Sequence, residues 1–428
     1  VTRSVIAALN GPWESELVSA VEATAGYTVA RRCADLSDLM AAAAAGFGQV
    51  ALVSADLRAL DRPALHELSA HGVEVAGVVA PGDDLGERRL RQLGLTVVLR
   101  ADLASHEIDD ALGFLDVQGA RTAGVEVFAG AGVSEASALA VGFAEDFGEP
   151  AAPTVASKVI AVWGPTGAPG RSTVALNLAA ELARSGSTLL VDCDTYGSSV
   201  AQSLGLLDEA PGVSAAARAA DQGTLDLAAL ARLAPQVCPG LRVLTGIPRA
   251  QRWTELRAPS VAHLLTIARQ LSQFVVIDCG FAIEDDEELS YDTLAPRRNA
   301  ATLTTLESAD ELLVVGTADP VGLQRLVRAV QDLAAVPSPT PRVVVNRVRP
   351  SAVGAKPERR IADALGRFAG MEDITYLPWD QESLDGAMLA GTTLAEHAPH
   401  CELRQAIASL TTLYVGRAPE HGRRRRRR

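Results

Sequence analysis

An apolar run, Val159–Trp163, leads straight into Gly164-Pro-Thr-Gly-Ala-Pro-Gly-Arg-Ser-Thr173, and Val174–Ala183 then continues with helical periodicity. A buried strand that turns through glycine into a helix points to α/β architecture with a parallel sheet. The helix must pack back on the sheet before the chain can re-enter it. The same turn aims backbone N–H groups and a helix N-terminus at one point, which is an anion site in its own right. The standard phosphate-loop pattern, G-x-x-x-x-G-K-[ST], is met only in part. With Gly170 as its second glycine, the first falls on Pro165 and the lysine on Arg171. Taken alone, the segment also reads as a Gly/Pro-rich surface turn.

Two further runs narrow that choice. Ser187–Asp194 (Ser-Thr-Leu-Leu-Val-Asp-Cys-Asp) reads as a strand ending in carboxylates, and Phe274–Asp278 (Phe-Val-Val-Ile-Asp) as another. Apolar strands that deliver Asp beside a phosphate loop are how such folds hold magnesium through water. Upstream, short apolar runs alternate with helical stretches. The expected strands are Ser4–Leu9, Tyr27–Arg31, Val50–Ser54, Val73–Val79 and Thr96–Leu99. The expected helices are Trp13–Ala25, Leu36–Ala45, Pro63–Ala70, Gly86–Leu93 and Ile108–Leu115. That alternation predicts a second parallel sheet wrapped by helices. The chain therefore divides into residues 1–116, a linker over 117–157 rich in Ala, Gly, Ser and Pro, a second βα series over 158–415, and a basic tail over 416–428.

The region from Lys158 to about Val415 resembles the MinD/ParA branch of P-loop ATPases, whose deviant loop x-K-G-G-x-G-K-[ST]-[ST] aligns with Pro165–Thr173. Asn177-Leu-Ala-Ala-Glu-Leu-Ala183 resembles the branch's first helix. Asp192 and Asp194 resemble its second acidic motif, Asp278 its Walker B aspartate, and Ala309–Val315 its next core strand. Val343-Val-Val-Asn-Arg347 resembles the strand whose Asn346 reads the adenine edge, and Leu377-Pro-Trp-Asp380 the loop that brings Pro378 beside the base. The resemblance implies ATP held by Gly167, Ala168, Pro169, Gly170, Arg171, Ser172 and Thr173. It implies Mg²⁺ on Ser172 with Asp278 behind it, Asp194 positioning an attacking water, and an ATP-dependent homodimer.

This chain departs from the branch at both lysines. The signature lysine, which in the family reaches the partner's phosphates, falls on Thr166, and the loop lysine on Arg171. Arg keeps the charge but not the compact ammonium. Pro165 and Pro169 offer no N–H. Losing one donor aimed at developing charge costs about 2.7–4 kcal/mol of transition-state stabilisation, so slow or absent hydrolysis is expected. Arg297 and Arg298 are candidates for a cation acting across the dimer, or simply a solvated basic pair. The acidic run Glu284–Glu288 reads as a solvated loop.

The first domain resembles a response-regulator receiver, with Asp56 as its natural phosphoacceptor. Asn10-Gly11 stands where the magnesium-holding acidic pair belongs, Ala80 where a hydroxyl belongs, and Arg100–Ala101 around the lysine position. A pseudo-receiver that docks a partner or pairs with a second copy is expected. A degenerate receiver on such an ATPase resembles the CpaE/TadZ group, which localises pilus-assembly machinery, and septum-site-determining relatives.

Charge weighs against one alternative, a chromosome-partition ATPase. The net charge is −13, and removing the six arginines Arg423–Arg428 leaves −19. Broad DNA affinity needs a basic surface. A metabolic enzyme is disfavoured because no nucleophile–base pair is recognisable. The five cysteines (Cys33, Cys193, Cys238, Cys279, Cys401) form no C-x-x-C and fit a reducing cytoplasm. Leu39–Ala55 is too polar for a bilayer span, which needs about 20 strongly apolar residues; helix followed by strand is expected there. No N-terminal signal peptide is recognised. The Arg tail suggests weak contact with an anionic membrane or nucleic acid, while Leu403–Val415 reads as a last packed helix. A cytoplasmic protein, free or peripheral at the inner membrane face, is the resulting expectation.

Overall fold

The computed structural model describes residues 2–24, 26–122, 157–167, 170–206, 212–284 and 296–415. Ala168, Pro169, nearly all of the expected linker, the acidic run beyond Glu284 and the Arg tail lie outside these residues. The chain forms two compact α/β units.

The first unit is a parallel sheet of β1 (Arg3–Ala8), β2 (Tyr27–Arg32), β3 (Val50–Ser54), β4 (Glu74–Val79) and β5 (Val98–Arg100), in the order β2-β1-β3-β4-β5. This is the flavodoxin-like order. Val50–Ser54 is buried along its whole length, as a central parallel strand covered on both faces must be. The helix Leu36–Ala44 precedes it, so Leu39–Ala55 is helix then strand. The last helix is longer than its apolar pattern suggested, Ser105–Thr122. Arg100 lies inside β5 and not after it, and is paired with Asp102 at 2.7 Å. Asp56 is exposed after β3, and the Asn10 amide donates to Ser54 Oγ at 3.1 Å.

The second unit holds eight strands: β6 (Lys158–Trp163), β7 (Thr188–Cys193), β8 (Gln236–Cys238), β9 (Leu241–Leu244), β10 (Phe274–Cys279), β11 (Glu311–Thr317), β12 (Pro341–Val348) and β13 (Ile374–Pro378). Their order is β13-β12-β11-β6-β10-β7-β9-β8, parallel except for β8 against β9. Alternation along β6 splits the core in two. Val159, Ala161 and Trp163 face the helices Ala258–Leu271 and Pro320–Asp332, while Ile160 and Val162 face Arg171–Leu182 and Glu402–Leu410. From β6 the chain runs first to one side and later returns through β11 on the other. Such a switch of direction opens a crevice at the carboxyl ends of the strands.

Two local expectations change. Leu377-Pro378 is strand and not loop. At the sheet edge a proline costs no ladder bond on its open side. The final helix is Glu402–Leu410 followed by a 3₁₀ turn, Thr411–Leu413, and its apolar residues Leu403, Ile407 and Leu410 are buried in the core. It is bound to the helix Arg171–Leu182 by Arg404, whose guanidinium grips both oxygens of Glu181 at 2.5 and 2.7 Å. Among the described residues no helix is long and apolar enough to cross a membrane.

Candidate nucleotide site

The crevice beside β6 gathers the residues singled out in the sequence. The helix that follows the glycine turn begins at Arg171, a turn earlier than its apolar periodicity indicated. Arg171, Ser172 and Thr173 therefore form its first turn, with amides free to meet an anion. Gly170 caps the helix at φ 106°, a conformation closed to side-chain-bearing residues. It is also covered by Asn346 of β12, whose amide would collide with a methyl group at Gly170. Asn346 Oδ1 accepts the Arg347 amide at 2.8 Å. Asn346 thus packs on the phosphate loop and joins β12 to it. Pro378 is half-buried at the end of β13, followed by Trp379, which is exposed and flanked by the guanidinium groups of Arg347 and Arg349 at 5.0 and 4.9 Å from its ring.

The acidic residues come together because β10 lies between β6 and β7, with Asp278 opposite Asp192 in register. Each is placed differently. Asp192 is a loop builder. It accepts the amides of Asp194, Ser199 and Val200, and burial pushes its carboxyl up to about 6. Asp194 Oδ1 accepts the amides of Tyr196 and Gly197 at 2.8 and 3.1 Å, and its Oδ2 accepts from Arg171 Nη2 at 3.2 Å. Asp278 is fully buried, and neither oxygen has a hydrogen-bond partner. Burial, then the Asp192 charge, hold it well above the ordinary carboxylate range against the opposing Ser172 hydroxyl and Arg171 guanidinium.

A buried carboxyl without a partner is a costly arrangement. It fits a hydrated divalent cation: Ser172 would supply a hydroxyl oxygen and Asp278 would hold the cation's water. Among the described residues no group of three His, Cys, Asp or Glu side chains forms a metal cage. A hydrated Mg²⁺ keeps several waters and leans on phosphate oxygens.

Arg171 does not hang free over the loop. Its Nη1 donates to the carbonyls of Gly164 and Pro165 at 3.2 and 3.3 Å, its Nη2 is spent on Asp194, and its buried Nε has no partner. The planar fork serves the two carbonyls with one nitrogen and the carboxylate with another, where a lysine would present a single point charge.

Arg298 is half-buried and turned onto its own chain. It donates to Thr195 Oγ1 and O at 2.8 and 3.0 Å and lies 3.8 Å over the Tyr196 ring. Arg297 beside it is exposed. Sequence reasoning missed two features. Tyr196 packs near Phe281 and donates to Asn299, fastening the loop after β7 to the start of the helix Ala300–Ser308. Arg325 reaches the phosphate loop from the helix after β11, and no motif marks it because the contact spans 159 residues.

Residues 160–387 match the model of the CobQ/CobB/MinD/ParA nucleotide-binding domain. The chain is similar in fold to a ParA family ATPase from Chlorobium tepidum TLS, at a TM-score of 0.50 and 20% identity over 61% of this chain and 100% of that one. The chain is also similar to the septum site-determining protein MinD complexed with Mg-ADP from Pyrococcus horikoshii OT3, at a TM-score of 0.46 and 17% identity over 59% of this chain and 94% of that one. A third similar structure is the Cyanothece McdA(D38A)–ATP complex, at a TM-score of 0.46 and 17% identity over 60% and 95%. No curated protein sequence matches the chain.

Proposed function

The chain belongs to the CobQ/CobB/MinD/ParA nucleotide-binding family, and from that premise we propose that it is an ATP-binding spatial organiser. In this reading it is a nucleotide-controlled homodimer that positions pilus-assembly or cell-division machinery and hydrolyses ATP slowly. Residues 1–116 act as a pseudo-receiver that docks the cargo, 117–157 as a linker, 158–415 as the ATPase domain, and 416–428 as a basic tail for weak anionic contact. The combination is of the CpaE/TadZ kind.

The ATP part rests on the glycine-capped helix start and on the unpartnered Asp278 facing Ser172. Gly167, Gly170, Arg171, Ser172 and Thr173 cradle the phosphates, with Ala168 and Pro169 completing the loop, and Asn346 and Pro378 border the base. When bound, Mg²⁺ neutralises charge between the β- and γ-phosphates.

The observation that carries slow turnover is the Arg171–Asp194 pair, both side chains being nearly buried. In the proposed role Asp194 orients the attacking water, yet Arg171 and two backbone amides already occupy its oxygens. Releasing it means breaking a desolvated ion pair, which leaves uncompensated charge. The same pair favours a second reading, a scaffold that keeps ATP without hydrolysing it.

Calorimetric titration with Mg·ATP and Mg·ADP, sedimentation with and without nucleotide, and steady-state turnover of the wild type and Arg171→Lys test the proposal. Binding, ATP-dependent dimers and faster turnover in R171K are expected. A wild type that binds neither nucleotide overturns the ATP reading. A wild type that turns over as fast as R171K overturns the account of Asp194.

A further inference from the structure

The phosphate loop lacks a lysine at both family positions, and the guanidinium that replaces one of them is committed elsewhere. Arg171 spends Nη1 on two loop carbonyls and Nη2 on Asp194. Thr166 brings no charge. Among the described residues of the loop, no side-chain cation is then left for a terminal phosphate.

A cation arrives from another element. The helix Pro320–Asp332 starts where β11 ends, capped by Asp319, whose Oδ1 accepts the amides of Val321 and Gly322. β11 is the neighbour of β6, with Val314 opposite Trp163, so this helix leaves the sheet beside the phosphate loop. Gly322 lets it sit close: a methyl group there would strike Thr317. Arg325, one turn further on, extends over the loop. Its Nη1 donates to Thr166 O at 3.3 Å, and its guanidinium covers Gly167 so closely that a methyl group on that residue would collide with it. Gly167 adopts φ 65°, which turns the backbone under the guanidinium.

We propose that Arg325 is the terminal-phosphate cation of this site, contributed by the same protomer in place of the lysine missing at Thr166. The inference rests on the nucleotide reading above. Among the described residues the Thr166 carbonyl is the one hydrogen-bond acceptor of Arg325, which leaves most of its five N–H donors unspent on them. Guanidinium is suited to phosphate because two parallel N–H groups match two oxygens. The residue is exposed, and so it meets the ligand without a prior desolvation cost. It stands at the start of the loop, away from the helix N-terminus that takes the inner phosphates, which is why the terminal phosphate is the one assigned to it.

The test is calorimetric titration of the full chain and of Arg325→Gln and Arg325→Lys with Mg·ATP, Mg·ADP and inorganic triphosphate. Thermal unfolding without ligand runs alongside. R325Q is expected to weaken Mg·ATP and triphosphate by about tenfold or more, as for loss of one charge-assisted contact. Mg·ADP should stay within about twofold of the wild type, R325K should recover part of the loss, and the ligand-free unfolding midpoint should not move. An equal loss for ATP and ADP, no loss for either, or a lowered ligand-free midpoint in R325Q would each overturn the assignment, the last by making Arg325 a loop pin. A wild type that binds none of the three probes overturns the nucleotide reading itself and the inference with it.

Discussion

Replacing Asp278 by Asn should make the metal-free protein more stable while destroying its response to Mg·ATP. The wild-type carboxyl is 0% exposed and neither oxygen is hydrogen-bonded. Burial first, and the Asp192 charge next, raise its folded pKa well above the ordinary carboxylate range. A carboxyl with a raised folded pKa binds protons more tightly folded than unfolded. Its penalty is therefore absent below the unfolded pKa and grows as pH rises toward the folded one. An uncompensated buried charge costs about 3–5 kcal/mol, which sets the size of the penalty once the carboxyl ionises. Asn keeps the shape and removes the titration, but it leaves a buried amide without a partner, at about 1–3 kcal/mol. A net gain of about 1–3 kcal/mol remains, or a few degrees in melting temperature for a domain of this size. Scanning calorimetry in EDTA at pH 7 and pH 4.5 should find Asp278→Asn melting higher at pH 7, with the advantage shrinking at pH 4.5. Saturating Mg·ATP should then reverse the order, because only the wild type gains binding free energy. An Asp278→Asn protein that melts below the wild type at pH 7 without metal would refute the reasoning.

Other consequences are equally direct. Arg404→Met removes the bidentate partner of Glu181, whose side chain is 5% exposed, and leaves it only Arg184 at 4.0 Å. Urea unfolding should find a loss of about 3–5 kcal/mol. Gly170→Ala forces a methyl group into a left-handed position already covered by Asn346, so nucleotide titration should find binding abolished and urea unfolding a stability loss of about 1–3 kcal/mol. Asp310 is opposed by burial but held below the usual carboxylate range by Arg269, with the Val159 amide assisting. Its contribution is therefore present above the unfolded pKa and lost as pH falls through the lower folded value. An acid-unfolding series should show Asp310→Asn less stable than the wild type at pH 7 and the gap closing below about pH 4.

The glycine turn between strand and helix, the aspartates at two strand ends and the parallel α/β class were legible in the sequence. All of these are written in local periodicity: a buried parallel strand is a short apolar run, and a helix N-terminus announces itself by what precedes it. Helix starts were less legible. Arg171–Thr173 carry no apolar period, and only the hydrogen bonds beginning at Gly170 place them in the helix. Pro378 read as loop because proline discourages a strand, and only its place at the sheet edge allows it.

Which carboxylate does what could not be read along the chain. Asp192, Asp194 and Asp278 look alike as strand-ending aspartates, yet one organises backbone amides, one holds Arg171 and one is left bare. That division depends on β10 entering between β6 and β7, and on which side of the resulting crevice each oxygen faces. The contacts made by Arg325 and Arg404 join residues 159 and 223 positions apart. Sequence determined the elements and their order because those depend on neighbours a few residues away. Tertiary structure alone decided the partners of each charge, because a side chain's electrostatic environment is set by whatever the fold brings within a few ångströms, wherever it lies in the chain.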